Sequence, residues 1–409
     1  MPTQKPQPLR ILFLTTSMPV GGAETLLMNL VRRLDSRRFA PEIACLKEPG
    51  PLGERLADEI PVHCHLLANK FDLRILPRLW RLMRSRQIDA VVTVGAGDKM
   101  FWGRLVARLA GVPVIMSALH STGWPDSVGR LNRLLTPLTD AFIGVADAHA
   151  EHLAAHEKFP RDKVHTIYNG IDTEVFVPGD GSTMRQERGI PTDAPVVGIL
   201  AALRPEKNHE LFLAGARRLT AKLIAEDLPT PHFVLIGDGE RRPTLEVLAT
   251  ELGIAETTHF LGSRSDVAEI LPAIDVVALT SHNEASPVSI LEALSCGVPV
   301  VSARVGSVPE TVIPGQTGEL FEPGDLDGFV SATIDLLLDP TKRTQLGRQG
   351  RQHVIEHCSL DAMVHGYETL IERLYQTKKH AQYPNNLVGA NLNNEKPSPL
   401  RSTATHSGL

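Results

Sequence analysis

The 409-residue sequence has the composition of a folded globular protein, with 42% hydrophobic residues, 22% charged residues and a net charge of −5 at pH 7. This composition excludes a disordered, collagen-like or small disulfide-stabilised chain, and the length suggests two or three domains. The acidic balance argues against a surface adapted to nucleic acid, so we expect no nucleic-acid partner. The four cysteines are scattered without a C-x-x-C pair, which is typical of reduced thiols in the cytoplasm.

Membrane insertion and secretion are not expected from the apolar runs. No run approaches the ~18 apolar residues of a membrane-spanning helix. The apolar run 11–14, which follows a polar N-terminus, is too short for a signal peptide. We therefore predict a cytoplasmic protein.

The first half of the chain alternates short apolar runs with amphipathic segments. The apolar runs are rich in Val, Ile, Leu and Phe, and they predict buried parallel strands. Helices between such strands are typical of a doubly wound α/β sheet. The predicted strands are 9–16, 41–46, 88–94, 112–118 and 140–146, and the predicted helices are 23–34, 73–86, 99–110 and 148–157.

The same alternation resumes after a stretch rich in Gly and Pro. Strands are predicted at 195–202, 232–237, 259–261, 274–280 and 298–303, and helices at 209–225, 241–252, 287–296 and 326–338. We predict two Rossmann-like domains, 1–178 and 195–356, joined by a linker at 179–194 and facing each other across a cleft. A C-terminal helix at 357–376 is expected to pack back toward the N-terminal domain, and a disordered tail at 377–409.

The strongest site signal lies at residues 283–301. Ser286 suits a helix N-cap, Pro287 the first helical position and Gly297 the left-handed C-terminal position. The backbone N–H groups of Val288 and Ser289 would then face the cleft and offer an anion site for phosphate.

Two carboxylates flank this anion site. Glu284 precedes the helix and Glu292 lies eight positions later, within it. Because both would repel phosphate, we expect them to accept hydrogen bonds from hydroxyls such as those of a sugar or ribose. A capped helix with a solvated glutamate is the alternative interpretation.

This segment resembles the Glu–x7–Glu signature of the retaining nucleotide-sugar glycosyltransferases of family 4, also called group 1, which have the GT-B fold. The resemblance extends over residues 9–375 and includes five further pieces in the family's order. They are Gly21-Gly22-Ala23-Glu24, Asn169-Gly170-Ile171-Asp172, Gly237-Asp238-Gly239, Phe260-Leu261-Gly262 and Gly306-Ser307-Val308-Pro309-Glu310.

The resemblance implies a role for each matching position on the donor side. Glu292 would bind the ribose hydroxyls, and Glu284 would contact the transferred sugar together with the backbone N–H groups of Ala285 and Ser286. The turn at Gly21 and Gly22 would lie over the diphosphate and the acceptor, since glycine lets the backbone approach closely. A plain strand-to-helix turn is the alternative for these two glycines.

Lys207 matches the family lysine, and the resemblance implies that it neutralises the leaving diphosphate. Many relatives also carry an arginine where this chain has Ala202, so Arg204 could take its place or be a plain surface charge. His120, at the end of the strand 112–118, resembles the family histidine near the transferred sugar. A core or surface histidine is the alternative.

No metal and no cofactor are expected. The only Asp-x-Asp, at Asp325 and Asp327, matches a family loop and not a metal signature. Helical spacing of His149, His152 and His156 fits an exposed helix face as well as a metal site. The turn at Gly237 lacks the third glycine of a dinucleotide fingerprint, which disfavours NAD. The donor is expected to be a nucleotide-diphosphate sugar, most simply a UDP-sugar.

Residues 70–108 form a basic region with nine cations and interleaved apolar residues. The cations are Lys70, Arg74, Arg78, Arg81, Arg84, Arg86, Lys99, Arg104 and Arg108. This pattern suggests contact with an anionic membrane at its inner face, which would give access to a lipid-linked acceptor. An ordinary amphipathic helix with a solvated basic face fits equally well.

The sequence therefore predicts a metal-independent retaining glycosyltransferase that moves a sugar to a hydroxyl acceptor, in polysaccharide or glycolipid biosynthesis by analogy. A non-catalytic scaffold that binds sugar nucleotides and a sugar-nucleotide epimerase on the same fold are the alternatives.

Overall fold

The computed structural model describes residues 7–69, 72–120 and 132–382. These residues build two parallel sheets, of seven strands in the first half of the chain and six in the second. Helices return the chain between strands, so the central strands are buried on both faces. The predicted fold class of two Rossmann-like domains is confirmed.

The N-terminal sheet has the order β3-β2-β1-β4-β5-β6-β7. The order reverses where β1 pairs with β4, and ligands of such sheets bind beyond the carboxyl ends of the strands at this point. The strands are β1 Leu9–Thr15, β2 Phe39–Cys45, β3 Val62–His63, β4 Ala90–Val94, β5 Val114–Ala118, β6 Ala141–Gly144 and β7 Val164–Thr166. The helices are α1 Gly22–Arg33, α2 Gly50–Leu56, α3 Ile75–Ser85, α4 Asp98–Ala110 and α5 Asp147–Ala155.

The C-terminal sheet has the order β10-β9-β8-β11-β12-β13, with the equivalent reversal between β8 and β11. Its strands are β8 Val196–Leu200, β9 His232–Ile236, β10 Thr258–Gly262, β11 Val276–Leu279, β12 Val300–Ala303 and β13 Gly318–Phe321. The helices are α6 Ser182–Glu187, α7 His209–Ala225, α8 Arg242–Glu251, α9 Val267–Ile270, α10 Val288–Ser295, α11 Val308–Thr311, α12 Leu326–Leu338 and α13 Pro340–His357.

The last helix, α14 Leu360–Gln382, crosses back to the N-terminal domain. Its apolar face, which includes Met363, Tyr367 and Ile371, joins the core beneath α1. The helix extends six residues past the predicted end at 376, and Lys378 in this extension forms an ion pair with Asp140 at 2.6 Å. The rest of the predicted tail, 383–409, lies outside the described residues.

The segment predicted as a linker, 179–194, is part of the C-terminal domain. It contains α6, and its side chains Met184 and Ile190 are buried in the domain's core. Arg185 fixes the segment by donating to Asp275 at 3.0 Å and to the carbonyl of Ala273 at 3.1 Å. The Gly and Pro residues that suggested a linker thus shape turns within a packed unit.

Candidate functional site

The two domains meet where α1 and α10 begin. A side-chain carbon added at Gly22 would lie 3.6 Å from Cγ2 of Val288. Nearby, the Asn169 side-chain amide donates to the carbonyl of Ser286 at 3.1 Å. The N-terminal ends of one helix from each domain therefore face the same cleft.

The start of α10 differs in detail from the prediction. Pro287, with extended backbone (φ −73°, ψ 115°), is the N-cap, and Val288 is the first helical residue. The Ser286 side chain does not cap the helix, because the cap position falls one residue later. The N–H groups of Val288 and Ser289 have no carbonyl partner within the helix by its geometry. Gly297 adopts the expected left-handed conformation, with φ +75°.

Lys207 and Glu284 form an ion pair at the edge of the cleft. Lys207 Nζ lies 2.6 Å from Oε1 of Glu284, which also accepts a hydrogen bond from the Ser281 hydroxyl at 2.6 Å. The Glu284 side chain is only 8% exposed, so its charge would be costly without these partners. The structure thus brings together two residues that are 77 positions apart in the chain.

Hydrogen bonds join the loop that carries Lys207 to the loop that carries Glu284. The Thr280 hydroxyl, at the end of β11, donates to the carbonyls of Lys207 at 3.0 Å and Asn208 at 2.9 Å. The backbone N–H of His282 donates to the carbonyl of Glu206 at 2.9 Å. These bonds fix the lysine relative to the glutamate before any substrate binds.

Gly306 holds the Glu284 loop from the other side. It has φ +50°, and a side-chain carbon there would lie 1.7 Å from the carbonyl oxygen of Glu284. The next residue, Ser307, donates its hydroxyl to the carbonyl of Ala285, which is itself buried. The Gly306–Glu310 motif therefore positions the Glu–x7–Glu segment.

Glu292 lies within α10, four residues after Val288, and is partly exposed. Burial raises the pKa of its carboxyl group to about 7. Near neutral pH this group therefore interconverts between a form that only accepts hydrogen bonds and a form that also donates. Both forms suit a contact with hydroxyl groups.

Arg204 does not contact the Lys207–Glu284 ion pair. Its side chain is 65% exposed and lies 4.0 Å from the carboxylate of Glu206, which it contacts at the surface. In the described residues Lys207 is the cation that contacts Glu284. The surface-charge interpretation of Arg204 fits the structure better than a substitution for the missing arginine at Ala202.

A cavity of about 290 Å³ opens on the N-terminal side, at the carboxyl ends of β1, β4 and β5. Its lining includes Thr15, Glu24, Lys99 and His120. Burial, with smaller effects from His149 and Lys99, lowers the pKa of His120 to about 4. His120 is therefore neutral at neutral pH and can exchange hydrogen bonds with a hydroxyl group.

Gly21 and Gly22, which precede the cavity-lining residues Ala23 and Glu24, do not have left-handed backbone. Gly21 is extended (φ −163°), and Gly22 is the first residue of α1. A side-chain carbon on Gly21 would lie 2.6 Å from Oε2 of Glu24. The glycine at 21 thus leaves room for the Glu24 carboxylate, whose signal in the sequence was its place two positions after the paired glycines.

The described residues contain no group of three His, Cys, Asp or Glu side chains that could hold a metal ion. Asp325 instead caps α12 by accepting from the N–H of Gly328 at 3.0 Å, and Asp327 pairs with Arg218. Among the same residues, no helix combines the length and apolar character needed to cross a membrane.

The basic region 70–108 is not one continuous charged face. Arg104 is fully buried, where it donates to the Thr139 hydroxyl at 3.1 Å and to Asn132. Arg74 and Arg78 pair with Asp72, Arg86 pairs with Glu42, and Lys99 lines the cavity. Arg81, Arg84 and Arg108 are exposed. Lys70 lies outside the described residues, as do residues 121–130.

Comparisons with known proteins agree with this architecture. A family model described as "Glycosyl transferases group 1" matches residues 180–353, and one described as "Glycosyltransferase Family 4" matches residues 20–175. The two matches fall on the two domains, and together they cover most of the described chain.

Named relatives and a solved structure show the same likeness. The chain is 27% identical to an N-acetyl-alpha-D-glucosaminyl L-malate synthase of Bacillus anthracis, over 76% of this chain and 82% of the relative. It is 28% identical to a UDP-Gal:alpha-D-GlcNAc-diphosphoundecaprenol alpha-1,3-galactosyltransferase of Escherichia coli, over 78% of this chain and 85% of the relative. The fold is shared with Anabaena Alr3699/HepE in complex with UDP-glucose, with a TM-score of 0.76, 23% identity, and coverage of 88% and 99%.

Proposed function

We propose chemical roles for the residues of this cleft. The chain belongs to the group 1, family 4 glycosyltransferases and has their GT-B fold. It transfers a sugar from a nucleotide sugar to a hydroxyl acceptor. The proposal concerns how the residues of the cleft divide that work. It rests above all on the Lys207–Glu284 ion pair, held beside the start of α10.

The donor's diphosphate would bind between Lys207 and the start of α10. The free N–H groups of Val288 and Ser289 and the positive end of the helix dipole favour an anion there. Lys207 adds a full charge where negative charge develops as the sugar leaves. These groups supply the counter-charge that a metal ion provides in other transferases, and we propose a metal-independent reaction.

Glu284 would accept hydrogen bonds from hydroxyls of the transferred sugar. Its partners Lys207 and Ser281 hold the buried carboxylate in one orientation. Glu292, within α10, would bind the ribose hydroxyls, and neutral His120 would contact the sugar from the opposite domain. The family resemblance assigns the same three roles.

Transfer would retain the anomeric configuration without a side-chain nucleophile. The leaving phosphate would assist removal of the acceptor's proton, so that the acceptor attacks from the face that the leaving group vacates. A relative named as a UDP-Gal-dependent galactosyltransferase and a structural neighbour in complex with UDP-glucose support a UDP-sugar as donor.

A lipid-linked acceptor and contact with the inner face of the membrane are also proposed. Leu73, Trp80, Arg81 and Arg84 are exposed at helical spacing along α3 and its N-terminal flank, which supports an amphipathic contact. Flotation with anionic liposomes at low salt should carry the protein upward. A double variant Leu73→Ser/Trp80→Ser should stay at the bottom, and a wild-type protein that stays there contradicts the contact.

Turnover measures the proposed catalytic roles directly. UDP release from UDP-sugars, with an acceptor panel and EDTA, should fall about 10²- to 10³-fold in Glu284→Gln and in Lys207→Met, as for loss of one transition-state contact. The Lys342–Glu319 ion pair at the edge strand β13 offers a matched control, since Lys342→Met removes a similar pair (2.8 Å). Near-wild-type rates in both cleft variants would refute the assignment.

A further inference from the structure

The cavity on the N-terminal side of the cleft holds a charged residue that the proposed mechanism does not use. Lys99, the second residue of α4, lines the cavity together with Glu24 and His120. The cavity lies where the strand order reverses between β1 and β4. This is the place where doubly wound sheets bind their ligands.

The backbone makes space for the Lys99 ammonium group. Gly95, which follows β4, has φ +88°, and a side-chain carbon there would lie 2.8 Å from Cε and 3.0 Å from Nζ of Lys99. A side-chain carbon at 95 would force the end of the Lys99 side chain to shift, and a larger residue there would also be strained by the positive φ. The lysine is therefore folded against the cavity wall and not extended into solvent.

The charge of Lys99 is not neutralised by an ion pair within the part of the chain that the structure describes. Burial lowers its pKa, while Glu24 and Asp98 act in the opposite direction from a distance. A partly buried ammonium group without a close counter-charge is unfavourable. An anion in the cavity would relieve this cost, and the positive end of the α4 dipole would favour the same anion.

Among the titratable residues that line the cavity, Lys99 carries the positive charge at neutral pH. His120 is neutral at neutral pH because burial lowers its pKa to about 4. Glu24 is a carboxylate in the first turn of α1, and it would restrict an anion to the Lys99 side of the cavity. The same helix begins at Gly22, opposite Val288, so the cavity adjoins the proposed diphosphate site.

We propose that this cavity binds an oxyanion of the acceptor, a phosphate or a carboxylate, and that Lys99 is the specificity-determining residue that contacts it. The inference rests on the proposed function, since it gives the acceptor a place beside the donor. An acceptor held by its anionic group presents its hydroxyl group toward the transferred sugar. Neutral analogues of the acceptor lose this contact.

Binding of small probes to the full chain tests the proposal. The protein is saturated with UDP in EDTA, so that free phosphate does not occupy the Lys207 site, and is titrated with glycerol 3-phosphate, glycolate and neutral glycerol by ligand-observed NMR. At least one anion should bind more tightly than glycerol. Its affinity should fall at least about tenfold in Lys99→Met and be mostly kept in Lys99→Arg, as for a hydrogen bond to a charged group.

Two further variants sharpen this test. Lys47→Met removes an exposed lysine of the same domain and should bind the probes as the wild type does. Glu24→Gln removes the neighbouring negative charge and should tighten anion binding. If only vesicles of phosphatidic acid, and not glycerol 3-phosphate, bind in a Lys99-dependent way, the oxyanion is a lipid headgroup.

The proposal is overturned if neither anion binds better than glycerol and the vesicles show no dependence on Lys99. It is also overturned if Lys99→Met binds the probes like the wild type. UDP binding, followed by thermal shift in the same samples, distinguishes failure of this inference from failure of the proposed function. Normal UDP binding with no Lys99 effect refutes only the oxyanion site, whereas absent binding of UDP and of the other nucleoside diphosphates refutes the proposed function and this inference with it.

Discussion

Glu292, which we propose binds the ribose hydroxyls of the donor, should make donor binding depend on pH. Burial raises the pKa of this carboxyl to about 7, and ribose hydroxyls bind its ionised form better because hydrogen bonds to a charged acceptor are stronger. Affinity for UDP-glucose should therefore rise about tenfold from pH 6 to pH 8 and then level off, by proton linkage. UDP-glucose itself does not titrate in this range, so calorimetry reports the protein.

Glu292→Gln is the control for this prediction. It should bind UDP-glucose more weakly, and its affinity should lack the rise near pH 7. In the absence of the donor, Glu292 makes the stability of the fold change with pH in the opposite direction. The raised pKa favours folding below the unfolded value near 4.5, and this contribution is lost as the pH rises through 7. Equal pH dependence of binding in both proteins would contradict the role of Glu292.

At the residue scale, sequence reasoning selected Glu284, Glu292 and Lys207 as candidates but did not predict the partners of Glu284. The motif spacing revealed the glutamates, because the spacing is local along one helix and its preceding loop. The contacts of Ser281 and of the Gly306 backbone with Glu284 depend on how separate loops approach each other, and a single sequence does not show this. Lys99 was predicted to be part of a basic surface, and its position after Gly95 and Gly97 was the signal that it turns inward.

At the element scale, α5 depends on a residue from the other domain. No side chain of its own caps this helix, and the Glu310 carboxylate accepts from the N–H groups of Asp147 at 3.0 Å and Ala148 at 2.6 Å. A carboxylate at a helix N-terminus is favoured by both the free N–H groups and the dipole. Glu310 therefore links the α11 segment of the C-terminal domain to α5 across the cleft.

Removal of this cap should loosen α5 and the contact between the domains. Glu310→Ala should speed hydrogen exchange at residues 147–155 and lower the apparent stability by about 1 kcal/mol, as for loss of an N-cap. Hydrogen-exchange mass spectrometry makes the measurement, with α7 as the internal reference. Glu322→Ala, which removes an exposed carboxylate paired with Arg304, is the control and should leave α5 unchanged. Unaltered exchange in Glu310→Ala would contradict the bridging role.

The elements that sequence reasoning missed share identifiable physical causes. Strands β3, β7 and β13 are only two to four residues long, too short for a periodic pattern. Helix α13 was missed because it is polar and contains Gly347 and Gly350, which look like helix breakers. Here the glycines permit close packing, since a side-chain carbon at Gly347 would lie 1.9 Å from the carbonyl of Gly297.

At the scale of the whole molecule, the alternation of strands and helices predicted both sheets, because buried parallel strands give strong apolar runs. The placement of the two domains relative to each other was harder to predict from the sequence. It depends on α14, whose Met363 and Tyr367 enter the N-terminal core, and on Asn169, which reaches Ser286. These contacts join distant parts of the chain and set the cleft in which Gly22 faces the start of α10.

The central claim is that this cleft binds a nucleotide sugar without a metal ion. Thermal shift with UDP-, GDP-, ADP- and dTDP-sugars in EDTA tests it most directly, since a ligand at 100 times its dissociation constant adds about 2.7 kcal/mol to stability. One nucleotide class, expected to be UDP, should raise the melting temperature in EDTA, and Lys207→Met should lose most of this shift. No shift with any donor, or a shift that appears only with added Mg²⁺, would contradict the account.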